Sequence, residues 1–216
     1  MSAPLADLCW IAGSFYRVIG ADRVHQVLEP PVTASAGRYH RPGEPALYLS
    51  READWAVIAM GTHVAGDRRA RVVVPLQLDG AWVFDQRDSG LLERHGLTLA
   101  DAMEPWLPAL AEGLDPPSWC HAARARTIGA QGITDPSRGI VGGWHLALFC
   151  WNKPGSPQVR VAGDPLLFDY TAARARWPAP SGWRPVDVDG PCTAASRVAF
   201  SAPAGPLALA RRGSCA

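Results

Sequence analysis

The chain has 216 residues, of which 48% are hydrophobic and 19% charged, and its formal net charge is +1. The apolar fraction is enough to build a core and excludes wholesale disorder, and the length fits one large domain or a domain with an extension. A dedicated nucleic-acid binder would carry an excess of basic residues. We therefore expect no direct binding of nucleic acid.

Targeting and metal-binding patterns are also missing from the sequence. No uncharged apolar run approaches the roughly 20 residues of a membrane helix, and Asp7 lies where a signal peptide has basic and then apolar residues. We therefore expect a cytoplasmic protein with no membrane contact. The cysteines form no C-x-x-C pair and no two histidines are four residues apart, so we expect no metal site.

The first half of the chain predicts four strands and one helix. The strand segments are rich in β-branched and aromatic residues, and they lie at 14–19, 46–50, 70–78 and 81–84. Ser50 is a good N-cap for a helix over residues 51–63, whose first turn carries acidic residues. Asp79-Gly80 predicts a hairpin turn between the last two strands.

The second half predicts helices first and then strands. Residues 88–114 show helical periodicity in short pieces, broken by Gly96, Pro105, Pro108 and Gly113, and a longer helix is predicted at 117–129. Strands follow at 145–151 and 158–162, and a small set of strands is predicted at 185–200. Because strands and helices mix without a regular βαβ alternation, the pattern predicts an α+β domain built on antiparallel strands.

The most informative segment is residues 37–60, which pass from a Gly-Arg-aromatic turn through Pro-Gly to a Leu-Tyr strand and then a helix. This order resembles the signature of RES-domain proteins. Phe15-Tyr16-Arg17-Val18 resembles the opening strand of that family, and residues 70–85 resemble its central strand pair. Gly129 to Phe149, which contains Pro136-Ser137-Arg138, resembles the segment that holds the family's serine. The resemblance spans about residues 14–164.

The resemblance implies a fold, an activity and a partner. RES proteins are mostly toxins of two-gene toxin–antitoxin pairs, and they degrade NAD⁺ or transfer its ADP-ribose on a fold similar to ADP-ribosyltransferases. It therefore implies a split antiparallel sheet with flanking helices, NAD⁺ as substrate without a metal, and a helix-turn-helix (Xre-type) antitoxin that covers the cleft. We expect an NAD-binding domain at 1–164 and a C-terminal extension, 165–216, packed on the same domain.

Particular residues of this chain stand at the family's site positions. Arg17 and Arg38 stand at its two arginine positions, where a planar guanidinium suits a pyrophosphate. Tyr48 stands where an aromatic ring packs against the nicotinamide or its ribose and excludes water. Ser137 stands where a polar group orients the nicotinamide ribose. Trp144 is the tryptophan we expect to line the pocket, although it follows Gly142-Gly143 with no asparagine where family members often carry one.

Residue 59 departs from the family pattern. The family's Glu lies eleven residues after the strand tyrosine, and that position is Ala59 here. Such a carboxylate would stabilise the oxocarbenium-like transition state of N-glycosidic cleavage. Glu52 is two helical turns away, about 10 Å along the axis, and a cationic His63 would have the wrong charge.

Three explanations of Ala59 are open. It is an introduced Glu→Ala change, a natural variant in which another group supplies the charge, or a divergent member that binds a nucleotide without cleaving it or does different chemistry. The first functional hypothesis is thus an NAD⁺-cleaving toxin whose ADP-ribose acceptor is water, phosphate or a protein side chain. The alternatives are a catalytically dead nucleotide-binding or partner-binding module and an unrelated α+β domain.

Overall fold

The structure is a computed structural model that describes residues 5–61 and 70–178. In these residues it contains a mixed set of strands and helices, and two short 3-10 segments at Leu5–Asp7 and Ala21–Gln26. The strands are β1 (Cys9–Gly20), β2 (Leu47–Ser50), β3 (Arg71–Phe84), β4 (Gly132–Pro136), β5 (Trp144–Leu148) and β6 (Val159–Val161). The helices are α1 (Ala53–Gly61), α2 (Ser89–Arg94), α3 (Leu99–Met103), α4 (Trp106–Ala111), α5 (Ser118–Thr127) and α6 (Tyr170–Arg176).

The strands form one sheet in the order β1-β2-β5-β4-β3-β6, and an additional pairing joins β1 to β3. β1 and β3 pair antiparallel along almost their whole length, from Cys9 opposite Val83 to Gly20 opposite Arg71. β4 runs parallel to β3, and the other pairs are antiparallel. The five strands β1 to β5 therefore close into a ring of pairings, and the predicted α+β fold with a mainly antiparallel sheet is confirmed.

The two faces of β2 and β5 contact different apolar clusters, because successive side chains of a strand point to opposite faces. Leu47 and Leu49 belong to the larger cluster with β1, β3 and α1. Tyr48 packs instead against a second cluster, which Ala147 joins together with residues of α2 and α5. The predicted site residue Tyr48 thus lies on the face covered by α2 and α5.

The predicted hairpin at Asp79-Gly80 is wrong, because β3 continues through these residues as a single strand. The register with β1 shifts there, from Ile11 opposite Ala81 to Gly13 opposite Leu78. Gly80 has a φ of +150°, and a Cβ on it would lie 1.9 Å from the ring of Trp10. The glycine therefore permits an irregularity within a long strand pair, where a tryptophan crosses the backbone.

The helical region 88–114 folds in short pieces, as predicted. Gly96 and Gly113 have positive φ values after α2 and α4, and Pro105 precedes α4. Pro108, however, does not break a helix. It lies in the first turn of α4, where the backbone N–H groups have no acceptor in the helix and proline therefore loses no hydrogen bond.

Three further predictions differ from the structure. Ser50 is not an N-cap, because it ends β2 and its hydroxyl contacts His145, and the helix begins at Ala53. The strand β4 and the helix α6 were not predicted. The end of the predicted helix at 62–63 and the strands predicted at 185–200 lie outside the described residues.

The first part of the predicted C-terminal extension packs on the rest of the domain. Arg176 in α6 pairs with Asp54 in α1 at 2.7 Å between Nη2 and Oδ1, and the ring of Trp177 meets Trp55 edge-on with centroids 5.5 Å apart. The domain boundary at 164 stays a prediction. Among residues 5–61 and 70–178, no helix is long and apolar enough to cross a membrane.

Candidate functional site

Strand register brings three polar side chains into one row beside Tyr48. Ser50 of β2 lies opposite His145 of β5, which lies opposite Asp135 of β4. Residues paired in this way point to the same face of a sheet, and Tyr48, two residues before Ser50, shares that face. The sheet therefore places the predicted Tyr48 near a carboxylate, Asp135, that was not predicted as a site residue.

The turn from Gly37 to His40 fixes the Tyr48 hydroxyl. This oxygen accepts a hydrogen bond from the Tyr39 backbone N–H at 3.0 Å and lies 2.9 Å from Nδ1 of His40. Because the hydroxyl accepts from Tyr39, its own proton is available to His40, and we assign a neutral imidazole that carries its proton on Nε2. Burial lowers the pKa of His40, which agrees with a neutral ring.

Gly37 is required by the close approach of these side chains. A Cβ on Gly37 would lie 2.3 Å from Cε1 of His40 and 2.8 Å from the Tyr48 hydroxyl oxygen. The Gly37 carbonyl in turn accepts a hydrogen bond from the indole of Trp119 in α5 at 2.8 Å. The Gly-Arg-aromatic pattern thus has a structural reason, because only glycine leaves room for the imidazole and the phenol.

Arg38 is held at the end of α3. Its side chain is 9% exposed, and Nη1 donates to the carbonyl oxygens of Ala102 at 3.0 Å and Glu104 at 2.7 Å. No described residue accepts a hydrogen bond from its Nε or Nη2. Burial lowers the pKa of Arg38 and the nearby Asp135 raises it, but an arginine stays cationic at neutral pH. Arg38 is therefore an oriented cation with unused donors.

Asp135 is the carboxylate that lies between Tyr39 and Arg138. The Tyr39 hydroxyl donates to Oδ1 at 2.7 Å and accepts from the Gln86 amide at 2.9 Å. Arg138 donates from Nη2 to Oδ2 at 3.0 Å and from Nη1 to Oδ1 at 3.4 Å. Burial, followed by the charge of Asp135, raises the pKa of Tyr39 well above its usual range. The carboxylate is thus compensated by one cation and one neutral donor.

His145 contributes no positive charge to this row. Its Nδ1 lies 2.8 Å from the Ser50 hydroxyl, and burial lowers the pKa of His145 to about 4. The imidazole is therefore neutral at pH 7. Ser137, the predicted ribose-orienting residue, is buried just after β4. Its N–H donates to the Gly143 carbonyl at 2.7 Å, and its hydroxyl accepts from the Gly139 N–H at 3.3 Å. Its described contacts hold the turn between β4 and β5.

The other predicted residues have their described contacts elsewhere. Arg17 donates to the Val27 carbonyl, and burial, with a smaller effect of Arg23, lowers its pKa to about 10. Ala59 lies half-buried near the end of α1. Trp144 is 5% exposed and packs edge-on against Phe15 with ring centroids 6.0 Å apart. The structure therefore brings Arg38 and Tyr48 into one network with Asp135, and the described contacts of Arg17 lie outside that network.

The residues missed by sequence reasoning are those whose partners are distant in the chain. His40 lies inside the informative segment, but an isolated histidine carries no signal of its contact with Tyr48. Asp135 and Arg138 lie on or just after the strand that was not predicted, so nothing placed them beside Arg38. No group of three or more His, Cys, Asp or Glu side chains suited to a metal ion occurs within the part of the chain that the structure describes.

Comparisons with known proteins bear on the family and the fold. The family model described as "RES domain" matches residues 14–197, which extends past residue 164, where the predicted resemblance ends. A chain in the crystal structure of the M. tuberculosis MbcT–MbcA toxin–antitoxin complex is similar to this chain, with a TM-score of 0.51 and 18% identity over 78% of this chain and 90% of that one. No curated protein matches the sequence.

The structural likeness shows a shared fold and, at this low identity, no more than the fold. The family model carries the stronger conclusion because it spans most of the chain and includes the Gly37 turn, the Tyr48 strand and the Ser137 turn. The predicted resemblance is thereby confirmed, and the chain belongs to the RES-domain family.

Proposed function

We propose that this chain is a RES-type toxin that binds NAD⁺ beside Arg38 and Tyr48 and breaks its nicotinamide–ribose bond. The observation that carries the proposal is the network of the Gly37–His40 turn, which fixes the Tyr48 hydroxyl. The same turn carries Arg38, whose guanidinium is held at the end of α3; burial raises the pKa of Tyr48, and the charge of Arg38 is near enough to lower it. These are the aromatic and cationic groups that a nicotinamide nucleotide with a pyrophosphate requires. Membership of the RES-domain family supports the same assignment.

The predicted site residues have different roles in the proposed reaction. Arg38 binds the pyrophosphate, Arg17 assists it, and Ser137 orients the nicotinamide ribose. The Tyr48 ring packs against the nicotinamide or its ribose, because both hydrogen bonds of its hydroxyl are directed into the protein. When the C1′–N bond breaks, its electron pair leaves with the nicotinamide nitrogen, and water, phosphate or a protein side chain then donates an oxygen or nitrogen to C1′ and loses a proton.

A second candidate function is binding of NAD⁺ without cleavage. It is favoured by the side chain at residue 59, which is alanine and supplies no carboxylate. Asp135 is a carboxylate of the same network, but Arg138 and the Tyr39 hydroxyl already compensate its charge. A compensated carboxylate stabilises a nearby cationic transition state less than a free one.

One experiment separates these functions. The full chain and its Ala59→Glu variant are incubated with NAD⁺, nicotinamide release is followed, and NAD⁺ binding is measured by calorimetry. Release by both chains supports an active enzyme with another source of charge. Release by the variant alone supports the family reaction with binding only in the present chain. Absence of both release and binding in the two chains refutes the proposed substrate.

We also propose a helix-turn-helix, Xre-type antitoxin as the partner that covers the cleft. The support is family membership together with the similar structure, which is that of a toxin–antitoxin complex. Expression of the Ala59→Glu variant should arrest bacterial growth, and co-expression of a small DNA-binding protein encoded next to this gene should relieve it. Growth that is unaffected by the expressed, folded variant would contradict a toxin.

A further inference from the structure

We propose that Arg138 binds the pyrophosphate of the dinucleotide together with Arg38, so that the two form an arginine clamp. This inference rests on the proposed binding of NAD⁺ and deepens it by naming a phosphate-binding residue outside the positions that the sequence suggested. The clamp is defined as Arg38, Arg138 and the carboxylate between them, Asp135.

The two guanidinium groups converge on one backbone carbonyl. Nη1 of Arg38 lies 3.0 Å from the oxygen of Ala102, and Nη1 of Arg138 lies 3.5 Å from the same oxygen. Arg138 also has Nη1 3.8 Å from the sulfur of Met103. The end of α3 therefore holds both arginines side by side, although they are a hundred residues apart in the sequence.

The charge of Asp135 explains how the two cations can lie side by side. Asp135 pairs with Arg138 and raises the pKa of Arg38, whereas Arg138 lowers it. The three groups sum to one positive charge, which leaves the clamp attractive to an anion. A pyrophosphate linkage carries two negative charges and has several acceptor oxygens, and planar guanidinium groups match pairs of such oxygens.

Donors remain for a ligand on both arginines. Nη1 and Nη2 of Arg138 are directed to Asp135 and α3, no described residue accepts from its Nε, and its side chain is 33% exposed. Nε and Nη2 of Arg38 also have no acceptor among the described residues, although Arg38 is only 9% exposed. Asp135 is thus a positioning residue, because its two oxygens hold Nη1 and Nη2 of Arg138 in one orientation and leave Nε without a described acceptor.

The contacts of Arg17 are different. Its guanidinium donates to the Val27 carbonyl at the end of the 3-10 segment Ala21–Gln26, and the charge that acts on it is Arg23. No described contact joins it to Arg38, Asp135 or Arg138. The Arg17→Gln variant therefore belongs in the same experiment, as a comparison with Arg138→Gln and not as a control.

The test is a calorimetric titration of the full chain with ADP-ribose, which has the pyrophosphate and no nicotinamide bond to cleave. Arg138→Gln should weaken binding about 10- to 100-fold, the range expected for losing hydrogen bonds between charged groups. Arg138→Lys keeps the charge without the fork and should bind with intermediate affinity. Arg160→Gln, which changes an arginine that is 65% exposed on β6, is the matched control and should bind like the parent chain.

Two measurements separate binding from a merely structural role. The affinity of Arg138→Gln should depend less on salt concentration than that of the parent chain, because one phosphate contact is lost. Asp135→Asn combined with Arg138→Gln removes the ion pair without leaving an unpaired buried carboxylate. This double variant should melt near the parent chain and bind ADP-ribose as weakly as Arg138→Gln.

The results that would contradict the clamp differ from those that would contradict the proposed function. If the parent chain binds ADP-ribose and Arg138→Gln binds it within about twofold, the clamp is wrong and the proposed function stands. The same conclusion follows if the loss appears in Arg17→Gln and not in Arg138→Gln. If the parent chain binds neither ADP-ribose nor NAD⁺, the clamp and the proposed function are both refuted.

Discussion

Substituting Gly37 by alanine should disturb the candidate site, because the added methyl group would lie too close to the side chains of His40 and Tyr48. The added methyl carbon would lie 2.3 Å and 2.6 Å from two atoms of the His40 ring and 2.8 Å from the Tyr48 hydroxyl oxygen. Real contacts of this kind are not shorter than about 3.0 Å, so the imidazole or the phenol must move. His40 is 4% exposed, and such overpacking of an enclosed site typically costs about 1–3 kcal/mol.

The same movement should weaken ligand binding as well as the fold. Displacing the ring of Tyr48 disturbs hydrogen bonds to Tyr39 and His40, each with a net contribution of about 1 kcal/mol. For a chain of this length, each kcal/mol of lost stability lowers the melting temperature by about 2–4 °C. We expect Gly37→Ala to show this decrease in thermal melts and a loss of NAD⁺ affinity of about tenfold or more by calorimetry.

Gly90→Ala is the matched control. A Cβ on Gly90 would lie 3.4 Å from its nearest neighbour, an oxygen of Asp88, and the residue is in the helix α2. Alanine is favoured over glycine in a helix by up to about 1 kcal/mol, so this variant should melt at or above the parent temperature. A Gly37→Ala chain that melts and binds NAD⁺ like the parent would show that the Gly37–His40 turn does not fix Tyr48.

Three further predictions concern single side chains. Tyr48→Phe leaves the Tyr39 N–H and the His40 Nδ1 without their partner and should cost about 1–3 kcal/mol in urea unfolding, more than the surface change Tyr170→Phe. Because burial lowers the pKa of His145 to about 4, from an ordinary 6.5, the unfolded chain binds a proton that the folded chain does not between these values. Stability should therefore fall as the pH is lowered from 6.5 to 4, and His145→Gln should make this fall smaller; an unchanged pH profile would contradict a buried neutral ring. Arg176→Gln breaks a pair with Asp54 in which the arginine is 59% exposed, so it should leave the free energy of unfolding nearly unchanged, and a clear loss would mean that α6 depends on this pair.

The part of the site that could be predicted is local in sequence. Gly37, Arg38 and Tyr48 lie within twelve residues. The turn at Gly37 and the strand that follows it are joined through the Tyr48 hydroxyl, which contacts the Tyr39 N–H and the His40 ring. Because these contacts join residues that are close in the sequence, they do not depend on where the strand lies in the sheet. For that reason a resemblance in sequence is enough to single out Arg38 and Tyr48 together, and their role in binding stays a prediction.

The part that could not be predicted depends on pairing between distant segments. Asp79-Gly80 has the residues of a hairpin turn, but β1 pairs along the whole of β3 and extends it through the glycine. Local turn preference is weaker than the long pairing that competes with it. The error concerned one connection and did not alter the fold class.

Asp135 and Arg138 were missed for the same physical reason. β4 is five residues long and carries Gly132 and Pro136 at its ends, so its sequence has little strand signal. It is held as a strand by β5 and by the end of β3, which are supplied by the tertiary fold. The charges that surround Arg38 therefore become visible only when the register of the sheet is known.

The most direct test of the account is a calorimetric titration of NAD⁺ into the full chain and into Arg38→Gln, with both melting temperatures recorded. We predict saturable binding to the parent chain and an affinity at least about tenfold lower for Arg38→Gln, because Arg38 is the oriented cation of the network. Equal affinity in a folded variant, or no binding to the parent chain, would contradict the claim that Arg38 and Tyr48 form a site for NAD⁺.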